Sequence, residues 1–159
     1  NGIGETSATL ITLTFQLTKK YLKNASDKKL KKYDGPDSVK ELLMSKYLGA
    51  REEMVFLLSL DFDDNILAVN KIAHGTFSAA NIDKRFVLET AFRNKARSVV
   101  LIHNHVNGIP VPSRDDLNTT KAVGDFFQGV NVHLLDHLIY TDEDIFSMAQ
   151  IKKFAPLFI

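Results

Sequence analysis

Residues 98–116, SVVLIHNHVNGIPVPSRDD, carry the strongest fold signal in this 159-residue chain. The apolar run at residues 99–102 predicts a buried strand, which ends in two histidines two positions apart, His103 and His105. A loop with one glycine and two prolines follows, and a helical pattern begins at Ser113. The pattern therefore predicts a strand, a loop and a helix in succession, with polar side chains where the strand ends.

Helical and extended patterns alternate along the rest of the chain. Apolar residues spaced three and four apart predict helices over residues 38–48, 83–96 and 113–127. Short apolar runs predict strands over residues 54–60, 66–72, 98–103 and 130–140, and the apolar tail, residues 146–159, adds a closing strand. The first two strands flank a polar turn and form a hairpin. We therefore expect an α/β fold with a mixed β-sheet flanked by helices.

The N-terminal segment differs from the rest in charge. Residues 6–22 predict a helix with an apolar face, and residues 1–35 carry a net charge of +4, against −3 for residues 36–159. The positive charge comes from a cluster in a segment that we interpret as a basic, turn-rich linker: Lys19, Lys20, Lys23, Lys28, Lys29, Lys31 and Lys32. We predict a short helical appendage over residues 1–35 and the main domain over residues 36–159.

Composition narrows the functional classes. The chain has no cysteine, which excludes a disulfide scaffold, a cysteine-ligated zinc finger and a thiol nucleophile. Absence of disulfides favours a reducing compartment, so we expect a cytoplasmic protein. The net charge is +1, and no apolar run is as long as a membrane span requires. We therefore expect no association with a membrane.

The histidine pair has the spacing of a metal site. Side chains at positions i and i+2 of a strand point to the same face, so His103 and His105 can reach one ion. Asp116 falls in the first turn of the next helix and can turn back toward the strand end. Two histidines, one aspartate and a water form an open, catalytic type of zinc site. The structural alternatives are histidines bonded to backbone carbonyls, and a helix-capping box formed by Ser113 and Asp116.

The same residues resemble the JAMM (MPN-type) metalloprotease motif, which combines an upstream glutamate, His-x-His, and Ser and Asp at these offsets. The match is closer to the bacterial RadC branch of that family, with similar blocks at residues 112–116 and 135–139 and at Ser147. The resemblance covers about residues 36–150. One departure is that the branch usually has proline and serine where this chain has Val106 and Asn107.

The resemblance implies a fold like that of the cytidine deaminases and a role for each matched position. His103, His105 and Asp116 would bind Zn²⁺, and Ser113 would help to stabilise an oxyanion. Glu53 best matches the upstream glutamate, with Glu52 as the adjacent alternative. The implied activity is zinc-dependent hydrolysis of a peptide-like or isopeptide-like amide in a peptide or protein substrate.

Asp136 and His137 lie in an apolar strand, and the sequence leaves two interpretations of them. In the first, the Asp136 carboxylate orients the His137 imidazole as a buried pair, with His137 on the same face as His133 and Leu135. In the second, Asp136 and His137 support the zinc ligands from outside the coordination sphere.

A rival to the hydrolase is a DNA-associated module of the RadC type, linked to DNA repair, with a vestigial or structural metal site. The segment Gly2-Ile3-Gly4 resembles the second half of a helix-hairpin-helix, in which backbone N–H groups contact DNA phosphate. The lysine cluster would then follow the phosphate backbone; its structural alternative is a solvated linker.

Overall fold

The computed structural model describes residues 2–29, 32–75, 82–106, 108–142 and 144–158. Five strands are present in these ranges: β1 (Met54–Leu60), β2 (Ile66–His74), β3 (Ser98–Asn104), β4 (His133–Tyr140) and β5 (Ile145–Ser147). The helices are α1 (Glu5–Lys29), α2 (Lys40–Tyr47), α3 (Lys84–Arg93) and α4 (Arg114–Gln128), with 3-10 turns at Pro36–Val39 and Ala155–Leu157.

The strands form one sheet in the order β2-β1-β3-β4-β5. β1 pairs antiparallel with both β2 and β3, β3 pairs parallel with β4, and β5 returns antiparallel to β4. Helix α4 supplies the crossover that the parallel pair β3–β4 requires. The prediction of a mixed sheet flanked by helices is confirmed.

β3 is the central strand, and all seven of its residues are buried. Val99 and Leu101 pack into a core shared with α3 and α4. Val100 and Ile102 point the other way, into a core with α2. Because helices cover both faces of this strand, its sequence is continuously apolar rather than alternating. His103 follows Leu101 on the α4 side, so the histidine pair emerges between the sheet and α4.

β4 contains an irregularity that decides which way its polar residues point. Val99 pairs with Leu134 and Val100 pairs with Asp136, so one residue of β4, Leu135, has no partner of its own. A one-residue shift of this kind moves the following side chains to the opposite face. Leu135 packs toward the α2 side, whereas His137 points toward α4. The prediction that His137 shares a face with Leu135 is therefore wrong.

Helix α1 is longer than the sequence predicted. It continues through Lys29, so residues 23–29 are helical rather than turn-rich. No glycine or proline interrupts the chain between Gly4 and Gly35, and hydroxyls of four threonines bond to backbone carbonyls one turn earlier. The predicted apolar face of α1 is largely exposed: Leu10, Leu13, Leu17 and Tyr21. Lys31 lies outside the described residues.

Within the described ranges, the helices are too short or too polar to cross a lipid bilayer.

Candidate metal centre

His103, His105 and Asp116 meet at the carboxyl end of β3. The Nε2 atom of His103 lies 3.1 Å from Oδ1 of Asp116, and Nε2 of His105 lies 3.4 Å from Oδ2. One ligand atom from each of the three residues lies within 4.8 Å of the others. His103 and Asp116 are buried, whereas His105 is partly open to solvent. The three residues named by the motif therefore form one cluster with an accessible side.

The spacing within this cluster fits a tetrahedral metal ion. Zinc binds histidine nitrogen and carboxylate oxygen at about 2.0–2.2 Å, so neighbouring donors in a tetrahedron lie about 3.3–3.5 Å apart. The two nitrogen–oxygen distances, 3.1 and 3.4 Å, lie close to this separation, although they run to different oxygens of the Asp116 carboxylate, and one atom from each of the three residues lies within 4.8 Å of the others. Two imidazoles and one carboxylate are also the donor types that zinc uses in catalytic sites. The residues present thus fit the ion that the motif implies.

The loop after β3 holds the His105 ring. Nδ1 of His105 lies 2.7 Å from the carbonyl oxygen of Ile109. A carbonyl can only accept, so Nδ1 carries the proton and donates it. In the neutral ring Nε2 then offers a lone pair, and this is the atom that faces Asp116. The backbone N–H of His105 also donates to the carbonyl of Tyr140, which extends the β3–β4 pairing by one residue.

The electrostatics of the cluster favour an ionised carboxylate. Burial alone would raise the pKa of Asp116, but hydrogen bonds with His103 and His105 hold that pKa well below its usual range. The hydrogen bond with Asp116 raises the pKa of His105 above its ordinary value, against the effect of burial. Burial is the main cause that keeps the pKa of His137 well below its usual range. Asp116 is therefore an anion at neutral pH and His137 is neutral.

Ser113 and Asp116 form a capping box at the start of α4. The Asp116 N–H donates to Ser113 Oγ at 3.1 Å, and the Ser113 N–H donates to Asp116 Oδ2 at 2.7 Å. The structural alternative that the sequence offered is thus present. It does not compete with metal binding, because the cap fixes the carboxylate whose oxygens face the histidines. Ser113 is exposed, and its hydroxyl proton remains available as a donor.

The two adjacent glutamates have different surroundings. The Glu52 carboxylate is exposed and lies 3.4 Å from Nδ1 of His74. Glu53 is half-buried, its carbonyl accepts from the Gly75 N–H at 2.8 Å, and its negative charge raises the pKa of His105. The negative charge of Glu53 therefore acts on the cluster, whereas the Glu52 carboxylate contacts His74.

Asp136 and His137 are adjacent in sequence, but their side chains lie on opposite faces of the sheet. Oδ2 of Asp136 accepts from Ser147 Oγ at 2.6 Å and from Tyr33 Oη at 3.1 Å, and Oδ1 accepts from two backbone N–H groups. The His137 ring instead contacts His103 and Thr120. The interpretation in which Asp136 orients the His137 imidazole is wrong, because the β4 irregularity separates the two side chains.

Two further residues near the cluster were not predicted from the sequence. Asn104 points to the α2 side, where its amide accepts from the Met54 N–H at 2.7 Å and donates to the Glu52 carbonyl at 3.2 Å. Asn104 thereby ties the chain beside Glu53 to the end of β3. Thr120 lies one turn after Asp116 on α4, with its hydroxyl against His137. The four-residue spacing from Asp116 was the available signal for Thr120.

The N-terminal lysines whose side chains the structure describes lie outside this cluster. Lys19 and Lys20 are exposed on α1, and Lys32 is exposed beside its bridge to Asn65. The structure does not describe the side chains of the remaining four. The position of Asn107, where the motif departs from the branch, lies outside the described residues.

The sheet is mixed, and its central strand ends in a His-x-His pair that faces an aspartate in the first turn of the next helix. This arrangement is typical of a JAB-type domain with a candidate metal centre. A family model described as RadC-like JAB domain matches residues 33–153. The chain belongs to this family, as its resemblance to the RadC branch predicted.

Individual relatives agree with this assignment. The chain is 29% identical over 149 residues to a UPF0758 protein of Clostridium perfringens, covering 94% of the chain and 65% of the relative. It is 33% identical over 121 residues to a UPF0758 protein of Alkaliphilus oremlandii, covering 76% and 52%. It is 30% identical over 142 residues to a UPF0758 protein of Methanosarcina mazei, and the match covers 89% of the chain and 62% of the relative. The chain thus spans less than two thirds of the length of these curated relatives.

Proposed function

We propose that this chain is a zinc-dependent hydrolase domain that cleaves a peptide-like or isopeptide-like amide. The observation that carries the proposal is the convergence of His103, His105 and Asp116, with nitrogen–oxygen distances of 3.1 and 3.4 Å. Three protein ligands leave a fourth position for water or substrate, which distinguishes catalytic from structural zinc sites. The partial exposure of His105 supports access to that position.

Bound zinc would lower the pKa of a water to about 7 and polarise the substrate carbonyl. We assign the proton transfers to Glu53, which would take a proton from the attacking water and return it to the leaving nitrogen. Its half-buried position and its field at His105 support this role over Glu52. Ser113 would donate its free hydroxyl proton to the oxyanion that develops on the substrate.

A cavity beside His105 supports a polypeptide substrate. Its volume is about 390 Å³, and it is bounded by the end of β3, the following loop and the end of β4. The rings of Tyr47 and Tyr140 stack 5.2 Å apart at this cavity, and Asp142 adds a carboxylate. The exposed lining of this cavity is mainly polar, which suits hydrogen bonds to the backbone of a bound polypeptide. We propose that the substrate lies in this cavity, with its scissile carbonyl toward His105.

The test is elemental analysis of zinc in protein purified without chelator. The unmodified chain is expected to hold about one zinc, as three protein ligands with an open position imply. His105→Ala is expected to hold none. His74→Ala is the matched control, because it removes an exposed imidazole outside the cluster and should leave zinc unchanged. Absence of zinc from the unmodified chain, even after zinc is added back, would overturn the proposal.

The rival function, a DNA-associated module with a vestigial or structural metal site, predicts DNA binding and no hydrolysis. It requires binding of duplex DNA that weakens steeply with salt and depends on the N-terminal lysines. A salt titration of DNA binding, with Lys19 and Lys20 changed to glutamine, measures this directly. Salt-dependent binding together with absence of zinc would favour the rival.

A further inference from the structure

A chain of three buried hydrogen bonds connects helix α4 to the metal ligand His103. The Thr120 hydroxyl lies 2.6 Å from the backbone carbonyl oxygen of Asp116 and 2.6 Å from Nδ1 of His137. Nε2 of His137 lies 2.8 Å from Nδ1 of His103. The side chains of Thr120, His137 and His103 are completely buried. The contacts therefore form one continuous path inside the protein.

The chemistry of the groups fixes the direction of every proton along this path. Both the Asp116 carbonyl, at 2.6 Å, and the Met148 sulfur, at 3.7 Å, can accept from the Thr120 hydroxyl, and the much closer carbonyl takes its single proton. The Thr120 oxygen then accepts from His137, which places the His137 proton on Nδ1. A neutral imidazole with its proton on Nδ1 has a lone pair on Nε2. That lone pair accepts from Nδ1–H of His103, so the neutral His103 ring has its own lone pair on Nε2, the atom that lies 3.1 Å from Asp116 Oδ1.

We propose that Thr120 and His137 are positioning residues that hold His103 in the tautomer able to bind the metal through Nε2. This inference rests on the proposed function of the cluster as a zinc site. Metal-bound histidines generally donate their other N–H to a fixed acceptor, which sets the tautomer and the ring orientation. His105 uses the Ile109 carbonyl as that acceptor, whereas His103 uses a neutral imidazole whose own proton Thr120 directs.

The irregularity of β4 supplies independent support for this role. It turns His137 toward α4 while the neighbouring Asp136 carboxylate is held on the opposite side by Tyr33 and Ser147. The acceptor offered to His103 is therefore an imidazole nitrogen rather than the neighbouring Asp136 carboxylate.

The first experiment determines the tautomer of His137 by ¹⁵N NMR of its ring in the metal-free, unmodified protein. The proposal predicts a proton on Nδ1 and a bare Nε2. A proton on Nε2 would reverse the path, because His137 would then donate to His103, and it would overturn the proposal. This readout needs neither bound zinc nor activity.

The second experiment compares zinc affinities by competition with a chromophoric chelator. Thr120→Val keeps the shape of the side chain and removes its hydroxyl. We expect this variant to lose about 10–100-fold in zinc affinity, because that is the usual cost of removing an outer hydrogen-bond partner of a zinc ligand. Thr119→Val makes the same change one residue earlier, at a buried hydroxyl that has no hydrogen-bond partner among the described residues. It should leave the affinity unchanged. Equal affinities of these two variants would overturn the proposal.

A second pair of variants covers the case in which Thr120→Val does not fold. His137→Gln keeps an amide oxygen that can accept from His103, whereas His137→Leu fills the space without an acceptor. We expect the glutamine variant to bind zinc more tightly than the leucine variant, and equal affinities would overturn the proposal. If the unmodified chain fails to bind zinc, the proposed hydrolase function fails, while the His137 tautomer still decides whether the path exists.

Discussion

Ser113 and Asp116 bond to each other reciprocally, through the Ser113 N–H to Asp116 Oδ2 at 2.7 Å and the Asp116 N–H to Ser113 Oγ at 3.1 Å. Asp116, in the first turn of helix α4, is therefore both a member of the helix cap and the carboxylate that faces His103 and His105. Stability of the helix and geometry of the metal centre depend on the same pair, and variants of Ser113 can separate the two contributions.

Ser113→Ala removes the oxygen that accepts from Asp116, and we expect it to lower the free energy of unfolding by about 1 kcal/mol. Ser113→Gly also lacks the hydroxyl, but glycine at an N-cap costs only about a few tenths of a kcal/mol, so its stability should be close to that of the unmodified chain. If the hydroxyl stabilises the oxyanion, both variants lose about 10²–10³-fold in kcat. Urea denaturation and hydrolysis of an isopeptide-linked peptide measure the two effects. Recovery of kcat in Ser113→Gly would show that Ser113 acts only through the stability of the helix.

Glu53→Gln and Glu52→Gln make the same change at adjacent positions. Loss of a general acid–base group costs about 10²–10⁴-fold in rate, so we expect that loss in Glu53→Gln with zinc content unchanged. Glu52→Gln removes an exposed partner of His74 and should keep its activity. Because the Glu53 charge raises the pKa of His105, Glu53→Gln should also lower that pKa in the metal-free protein. An NMR titration of His105 checks this without a substrate, and a larger shift in Glu52→Gln would contradict the assignment.

The sequence was sufficient to predict the features that depend on neighbouring residues. The strands β1 and β3 were predicted close to their observed bounds because their apolar runs are short and uninterrupted. His103, His105 and Asp116 were identified because all three lie within one strand–loop–helix unit. In each case the residues that carry the signal lie within one strand or within one strand–loop–helix unit.

Features that depend on distant pairing were not predicted. The orientation of His137 follows from a one-residue irregularity between β3 and β4, which strict alternation along β4 cannot show. The contact of Tyr33 with Asp136 joins residues 103 positions apart. Helix α1 was predicted to end at residue 22 because residues 23–29 have no apolar spacing, and it continues because no glycine or proline interrupts them. The residues of the candidate metal site could therefore be predicted from the sequence, but the buried residues that contact them could not.

Zinc should stabilise the fold as well as complete the site. An ion that binds only the folded state adds about 2.7 kcal/mol at a free concentration of 100 times Kd. We expect zinc to raise Tm accordingly and a chelator to reverse the change. Asp116→Asn should abolish the increment, because it removes a ligand charge. Asp115→Asn, an exposed neighbour in the same helical turn, should retain it. Equal zinc-dependent shifts in the two variants would exclude Asp116 as a ligand.

Tyr33 should make stability depend on alkaline pH. Burial, together with the negative charge and hydrogen bond of Asp136, raises the pKa of Tyr33 far above its ordinary value of 10. Above pH 10 the unfolded chain releases this proton and the folded chain keeps it, so the free energy of unfolding should fall by about 1.4 kcal/mol per pH unit for this group. Below pH 10 both states are protonated and the contribution is constant.

At pH 8, Tyr33→Phe should therefore be less stable than the unmodified chain by about 1.5–3 kcal/mol, because it loses a hydrogen bond to a charged group. Between pH 10 and 11, it should lose less stability than the unmodified chain does. Urea denaturation across this range gives the difference in slope. Tyr21→Phe, the same change at an exposed tyrosine on α1, controls for tyrosine removal in general. Parallel pH profiles for Tyr33→Phe and the unmodified chain would show that Tyr33 does not keep its proton in the folded state, and the bond between Tyr33 and Asp136 would then not form in solution.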